Sequence, residues 1–348
     1  MDYRKVNIDF EVIKPIGNNE GKNSDVFLAK DMQLNAELVV KQMEISKFSK
    51  MEEYFSEARI LYDCKHPNIM EIQYASQDEN YIYVSMPYHR KGSLSSLIDS
   101  RFLTVREIIK YSLDFLSGVA HIHSKGLVHL DIKPTNIILD ETDRAILTDF
   151  GLSKYLDENG IANQPISYTS HWEPEIFFSS GRTVLSDIYQ IGLTLYRLCN
   201  GNDILSEQMK KLNIRNNYEL KEAILKERFP NKNYYLPHIP NKLIKVIKKS
   251  LELDASKRYN NVIQMMNDLS DIGENLDWNY TGISNELYYR IKDNNKISIM
   301  IKNKLDIVCT KTNLTSTRTT KMHKYCNKGY TSEQQVTKEI ERIIKEND

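Results

Sequence analysis

The reading of this 348-residue chain turns on His129-Leu130-Asp131-Ile132-Lys133-Pro134-Thr135-Asn136, followed a short way on by Thr148-Asp149-Phe150-Gly151. Asp131, Lys133, Asn136 and Asp149 put two carboxylates, an ammonium and an amide oxygen close together in sequence. Such a set can move a proton, offset anionic charge and hold a hard cation. Upstream, residues 8–88 carry strand signals: Ile8 to Ile13 alternates, Asp25 to Lys30 resumes an apolar run, and Glu37-Leu38-Val39-Val40-Lys41 is short and β-branched. Tyr81 to Val84 adds another strand. Between Lys50 and Lys65, Met51, Phe55, Ala58, Leu61 and Tyr62 follow helical spacing. Downstream, residues 89–273 read as mostly helical, with a long amphipathic helix from Ile108 to His123 and a buried one from Ile188 to Leu198. A β-rich small lobe followed by a helical large lobe is an α+β arrangement, with a ligand expected between the lobes.

Residues 274–348 change character and read as a small α/β accessory region. Three short strands are expected at Tyr288–Lys292, Lys296–Lys302 and Leu305–Thr310, set apart by Asp293-Asn294-Asn295 and Asn303-Lys304 turns. Residues 310–330 hold Lys311, Arg318, Lys321, Lys324 and Lys328 with no acidic residue. That stretch could meet nucleic-acid phosphate, but a solvated loop is the plainer reading, and no aromatic RNA-binding motif or metal-finger spacing supports the sharper one. Ser332 with Gln335 three residues on predicts a capping box opening a last helix, striped by Val336, Ile340, Ile343 and Ile344.

Composition excludes several classes. Apolar residues make up 41% and charged residues 27%, the balance of a folded chain rather than a disordered one. Lys plus Arg equals Asp plus Glu at 47 each, so no global field draws nucleic acid or membrane. No apolar run reaches the roughly 18 residues that span a bilayer, and Met1 to Lys5 lacks a leader's apolar stretch. Cys64, Cys199, Cys309 and Cys326 are widely spaced, as for reduced thiols, and the expected location is cytoplasmic.

The two quoted motifs resemble those of the eukaryotic-type protein kinase family, whose catalytic loop reads H-x-D-x-K-P-x-N and whose metal-binding triplet is D-F-G. The resemblance implies a bilobal kinase fold and transfer of the ATP γ-phosphoryl group with Mg²⁺, or Mn²⁺ as an alternative, to protein Ser/Thr hydroxyls. It makes Asp131 the proton acceptor, Lys133 the cation on the γ-phosphate, and Asn136 and Asp149 the metal ligands. Lys41 matches the lysine that holds the α- and β-phosphates, and Glu57 its ion-pair partner. Met86-Pro87-Tyr88-His89 matches the inter-lobe linker, with Met86 as gatekeeper and Pro87 and His89 backbone groups toward the adenine. Val26, Val39 and Ile138 would sandwich the ring. Asp187 matches the aspartate that braces the catalytic loop, Leu61, His129 and Phe150 an apolar spine, and Glu175 with Arg258 a structural bridge.

The match also departs from the family. Of the glycine-rich loop only Gly21, with Gly17 just upstream, remains before Val26, so the loop can form but close more loosely. Leu130 stands where many of these kinases have the arginine that pairs with a loop phosphate, which argues against that switch. Glu173 replaces alanine ahead of Pro174-Glu175. Ser167-Tyr168 stands in place of the usual Gly-Thr, with Ser167 or Thr169 as substitutes. Lys133-Pro134 favours Ser/Thr acceptors, while this departure and 21 tyrosines leave tyrosine open as an acceptor; the resemblance implies protein substrates, the chain itself included by autophosphorylation. Two other readings are a pseudokinase scaffold, which would have lost Lys41, Asp131, Asn136 or Asp149, and a small-molecule phosphotransferase, which would lack the Pro174-Glu175 and Arg258 pairing.

Overall fold

Residues 36–44 organise the small lobe: successive side chains on a strand point to opposite faces, and here both faces hold buried residues, Leu38 and Val40 on one, Lys41 and Met43 on the other. The computed structural model describes residues 8–16, 24–48, 54–163, 171–178, 181–303, 305–327 and 329–348. Strands β1 (Phe10–Pro15), β2 (Ser24–Asp31) and β3 (Ala36–Glu44) precede helix α1 (Ser56–Asp63), and β4 (Tyr74–Gln77) and β5 (Tyr81–Pro87) follow it. They form an antiparallel sheet in the order β1-β2-β3-β5-β4. Leu38 and Val40 pack with Ala29 under Phe10, Tyr74 and Tyr83 on one face. Met43, Ile82 and Val84 pack against Ala58 of α1 on the other. The helix is shorter than the spacing from Lys50 to Lys65 predicts, and residues 49–53 lie outside the described ones.

The large lobe is built on α3 (Val105–Ser124), which follows α2 (Leu94–Ser100) and opens with a capping box between Thr104 and Glu107. Gly118 on α3 lets the helix lie against the Asn68 carbonyl, where a Cβ would come within 2.6 Å. Asn68 also donates to the Ala145 carbonyl at 3.0 Å and accepts from Leu147 N–H at 2.9 Å. That fixes the loop between α1 and β4 to the strands leading into Asp149. Five short strands follow: β6 (Leu127–Val128), β7 (Ile137–Leu139), β8 (Ala145–Leu147), β9 (Lys154–Tyr155) and β10 (Ala162–Asn163). β6 pairs with β9 and β7 with β8, while β10 pairs with β11 (Gly181–Arg182). Helix α4 (Val184–Asn200) is buried on nearly every side, as its apolar sequence predicts. Helices α5 (Ile204–Lys211), α6 (Asn217–Leu225), α7 (Asn241–Ser250) and α8 (Val262–Ser270) complete the lobe. The expected bilobal α+β fold is therefore present, and among the described residues no helix is long and apolar enough to cross a membrane.

Residues 279–346 form a second antiparallel sheet backed by a helix. Strands β12 (Asn279–Tyr280), β13 (Tyr288–Lys292), β14 (Asn295–Lys302), β15 (Asp306–Asn313) and β16 (Thr319–Lys321) pair in sequence order, and α9 (Glu333–Glu346) follows. Ile340, Ile343 and Ile344 of α9 share a core with Trp278, Tyr288 and Ile299. The solvated-loop reading of residues 310–330 needs correction: β15 runs on to Asn313 and pairs with β16, because Thr310, Lys311 and Thr312 find strand partners in residues 319–321. The capping box is also shifted. Ser332 accepts from Gln335 N–H at 3.4 Å, but the Gln335 side chain reaches past it to Thr331 N–H at 2.9 Å. The sheet is fastened to the large lobe by Arg106, which grips Asp277 through Nε (2.7 Å) and Nη2 (3.0 Å), and by Phe102 edge-on to Tyr280 at 4.6 Å.

Candidate active site

Val40 faces the aromatic side of the sheet, so the next residue, Lys41, faces α1. There its Nζ lies 2.9 and 2.8 Å from Glu57 Oε1 and Oε2. The same Nζ donates to Asp149 Oδ1 at 2.8 Å. Burial alone would lower the Lys41 pKa, but the two carboxylates outweigh it and hold the ammonium above the ordinary lysine value. Lys41 in turn, with burial opposing, draws the Asp149 carboxyl down to about 2. Asp149 adopts a left-handed backbone (φ 61°), a conformation a non-glycine residue holds only when its surroundings impose it.

Leu130 is the second left-handed residue of the site (φ 64°), and its loop is held from below by α4. Asp187 accepts from His129 N–H at 2.9 Å and from Leu130 N–H at 2.8 Å, and is fully buried. His123 Nε2 lies 2.7 Å from the same carboxylate. His129 is packed rather than poised for proton transfer. Its ring lies edge-on to Phe150 at 4.8 Å, Nε2 donates to Thr148 O at 3.1 Å and Nδ1 accepts from Asp131 N–H at 3.3 Å. Leu61 and Phe150 belong to one apolar core.

Asp131 is buried, and its two oxygens differ. Oδ2 accepts from Asn136 Nδ2 at 2.9 Å and lies 3.2 Å from Lys133 Nζ. Oδ1 is buried with no hydrogen-bond partner among the described residues. Asn136 Nδ2 also donates to the Asp131 carbonyl at 2.9 Å, which commits its amide nitrogen inward, while its Oδ1 accepts from Thr135 Oγ1 at 3.4 Å.

Between the lobes lies a cavity of about 730 Å³ walled by Val26, Val39, Met86, Pro87, His89 and Ile138, with Lys41, Glu57, Asn136 and Asp149 at its polar end. Met86 packs with Met70 and Ile146 at the back. The His89 carbonyl accepts from Gly92 N–H at 3.2 Å, and its ring pairs with Glu141 at 2.9 Å. Gly17, Gly21, Ser167 and Thr169 lie outside the described residues. Glu175 meets Arg258 Nη1 at 2.5 Å.

Sequence reasoning missed Met70 and Thr148, which line the cavity, and Gln190, which lies under the catalytic loop. The available signal for Gln190 was a polar residue inside an otherwise apolar helix, Ile188-Tyr189-Gln190-Ile191.

Residues 10–269 match the protein kinase domain family. The chain is similar to the serine/threonine-protein kinase AtPK1/AtPK6 of Arabidopsis thaliana, 30% identical over 195 residues that cover 56% of this chain and 42% of that protein. It is also similar to the probable serine/threonine-protein kinase PknB of Lactococcus lactis, 27% identical over 268 residues (75% of this chain, 41% of that protein). Human 3-phosphoinositide-dependent protein kinase 1 is 26% identical over 257 residues, 72% of this chain and 44% of its own length. The chain thus spans less than half the length of each of these relatives. Its matched span and its two lobes agree: this chain belongs to the protein kinase domain family.

Proposed function

We propose that this chain transfers the γ-phosphoryl group of ATP to Ser or Thr hydroxyls of proteins, itself included. The observation that carries the reading is the Asp131 carboxylate: buried, anchored through Oδ2 by Asn136 and Lys133, with Oδ1 left without a partner among the described residues. A buried, unpaired carboxylate oxygen is costly unless something arrives to meet it. In this reading an acceptor hydroxyl donates to Oδ1, which orients it and takes its proton as the oxygen–phosphorus bond forms and the bond from the γ-phosphorus to the bridging oxygen breaks, releasing ADP. Lys133 offsets charge on the transferred group, and Lys41, held by Glu57, meets the α- and β-phosphates. The cavity walls Val26, Val39, Met86 and Ile138 offer apolar surface to an adenine, with the Pro87 and His89 backbone at its edge.

Asn136 Oδ1 and Asp149 are the residues that would hold Mg²⁺, or Mn²⁺ in its place. The donor set fits, since both atoms are hard oxygens and Asp149 is ionised at neutral pH. Bound there, the metal would supply positive charge against the phosphates.

The division into a small lobe at 8–88, a large lobe at 89–273 and an accessory unit at 274–348 is part of this proposal. So is a cytoplasmic location, which four unpaired cysteines suit. The accessory unit is read as a small domain that binds a partner or substrate. Lys324 there pairs with Glu346 at 2.7 Å, which leaves less free charge for nucleic acid.

The test is incubation with radiolabelled ATP and Mg²⁺, comparing the wild type with Asp149→Ala, followed by phosphoamino-acid analysis. Label on Ser or Thr in the wild type and none in the variant is expected. Equal labelling of both would sink the proposal, and label on Tyr alone would reassign the acceptor.

A further inference from the structure

The Leu130 carbonyl and the Ile132 N–H belong to the residues on either side of Asp131, and one side chain grips both. Gln190 donates from Nε2 to Leu130 O at 3.0 Å and accepts from Ile132 N–H at Oε1 at 2.9 Å. Its Nε2 also donates to Glu173 Oε2 at 3.1 Å, and Glu173 Oε1 accepts from Arg182 Nε at 2.6 Å. Gln190, Glu173 and Arg182 are 2%, 4% and 2% exposed, so the chain of bonds is sealed from water. It runs from β11, through the segment before Glu175, to α4 and on to the backbone of Asp131.

We propose that Gln190, oriented by the Glu173–Arg182 ion pair, is a positioning residue that sets the Asp131 backbone for phosphoryl transfer without any phosphate added to the chain. This rests on the kinase reading above. A primary amide carries donor and acceptor on one rigid plane and can therefore hold a carbonyl and an N–H together, whereas a carboxylate can only accept. Glu173 fixes which way that amide faces, because a flipped amide would set its oxygen against a carboxylate and a carbonyl. Burial alone raises the Glu173 pKa, and Arg182 beside it favours the charged form. Leu130 needs such restraint, since its left-handed backbone is one leucine rarely adopts. Its side chain takes no part in an ionic latch: it packs with Val128 and Ala162, flanked by Leu156 and Val184. The Ile132 carbonyl is held separately, accepting from Thr194 Oγ1 at 3.1 Å and His171 Nδ1 at 3.2 Å. The lock between the Glu173 segment and the catalytic loop is thus made from the chain's own side chains.

The test compares wild type with Gln190→Leu and Gln190→Glu in the full chain. The readouts are amide hydrogen exchange at Ile132, kcat, KM for ATP, and circular dichroism for the fold. In Gln190→Leu, Ile132 should exchange about tenfold faster or more, and kcat should fall by about tenfold or more with KM for ATP within about twofold. Gln190→Glu should lose activity too, then regain it relative to wild type as pH falls from about 8 to about 6, where a protonated carboxyl recovers one donor. Ile132 exchange and kcat within about twofold of wild type in both folded variants would overturn the proposal. A wild-type chain that transfers no phosphate would overturn the kinase reading alone, because Ile132 exchange reports the grip without catalysis.

Discussion

The Lys41 ammonium lies 2.8 Å from Asp149 Oδ1, joining the central strand of the small lobe to a turn 108 residues later. With Glu57 Oε2 also at 2.8 Å, one cation ties β3, α1 and the Asp149-Phe150-Gly151 turn into a single unit. Lys41→Met should therefore cost phosphoryl transfer about 10²–10³-fold, the usual penalty for removing one preorganised charged donor. Steady-state kinetics on the folded variant check this. A loss under about tenfold would mean that the pair only braces the lobes.

The same contact sets a pH signature. Lys41 holds the folded Asp149 carboxyl at about 2, below its ordinary value of 3.8. The stabilisation from the ionised form is thus complete above pH 3.8 and is lost as pH falls toward 2. An NMR titration of the Asp149 carboxyl should show it ionised throughout the neutral range. In Lys41→Met its midpoint should move upward, and an unmoved midpoint would assign the shift to something other than Lys41.

His238 predicts a second pH effect, at the seam between the large lobe and the accessory sheet. Its ring is fully buried 5.8 Å from Tyr288 and stacked 6.3 Å from Tyr280, with Nε2 donating to Leu103 O at 3.4 Å and Nδ1 without a partner among the described residues. Burial lowers its pKa to about 4 from 6.5. The unfolded state therefore binds the proton more readily, and stability present above pH 6.5 is lost as pH falls toward 4. The shift corresponds to about 3 kcal/mol over that window. Thermal melts of wild type against His238→Gln should show a steeper acid loss in the wild type.

Leu130 makes a prediction about regulation. Its side chain sits in an apolar cluster with Val128 and Ala162, so Leu130→Arg would place a cation among apolar side chains. A loss of about 3 kcal/mol or more is expected by chemical denaturation, with no gain of phosphate-dependent activity. Single replacement of Ser153, Tyr155, Ser167, Tyr168, Thr169 or Ser170 should leave substantial activity. Complete loss for any one would restore the phosphate switch.

The sequence by itself determined the family and the two-lobed class. Both are written in short-range pattern: the spacing from His129 to Gly151, alternation along residues 37–41, and helical periodicity from Ile108 to His123. Such signals survive because each depends on a few neighbouring residues. It was silent on β4, β12 and β16, short strands whose pairing comes from partners rather than from their own alternation. It paired Lys41 with Glu57 but could not foresee the bond to Asp149, nor that Gln190 reaches Leu130 across 60 residues, nor that His238 is sealed under Tyr280 and Tyr288. Those contacts are made only when separate elements pack. A polar residue on an apolar helix can point to solvent, to a neighbour or to a loop, and only the tertiary structure chose the loop that carries Asp131.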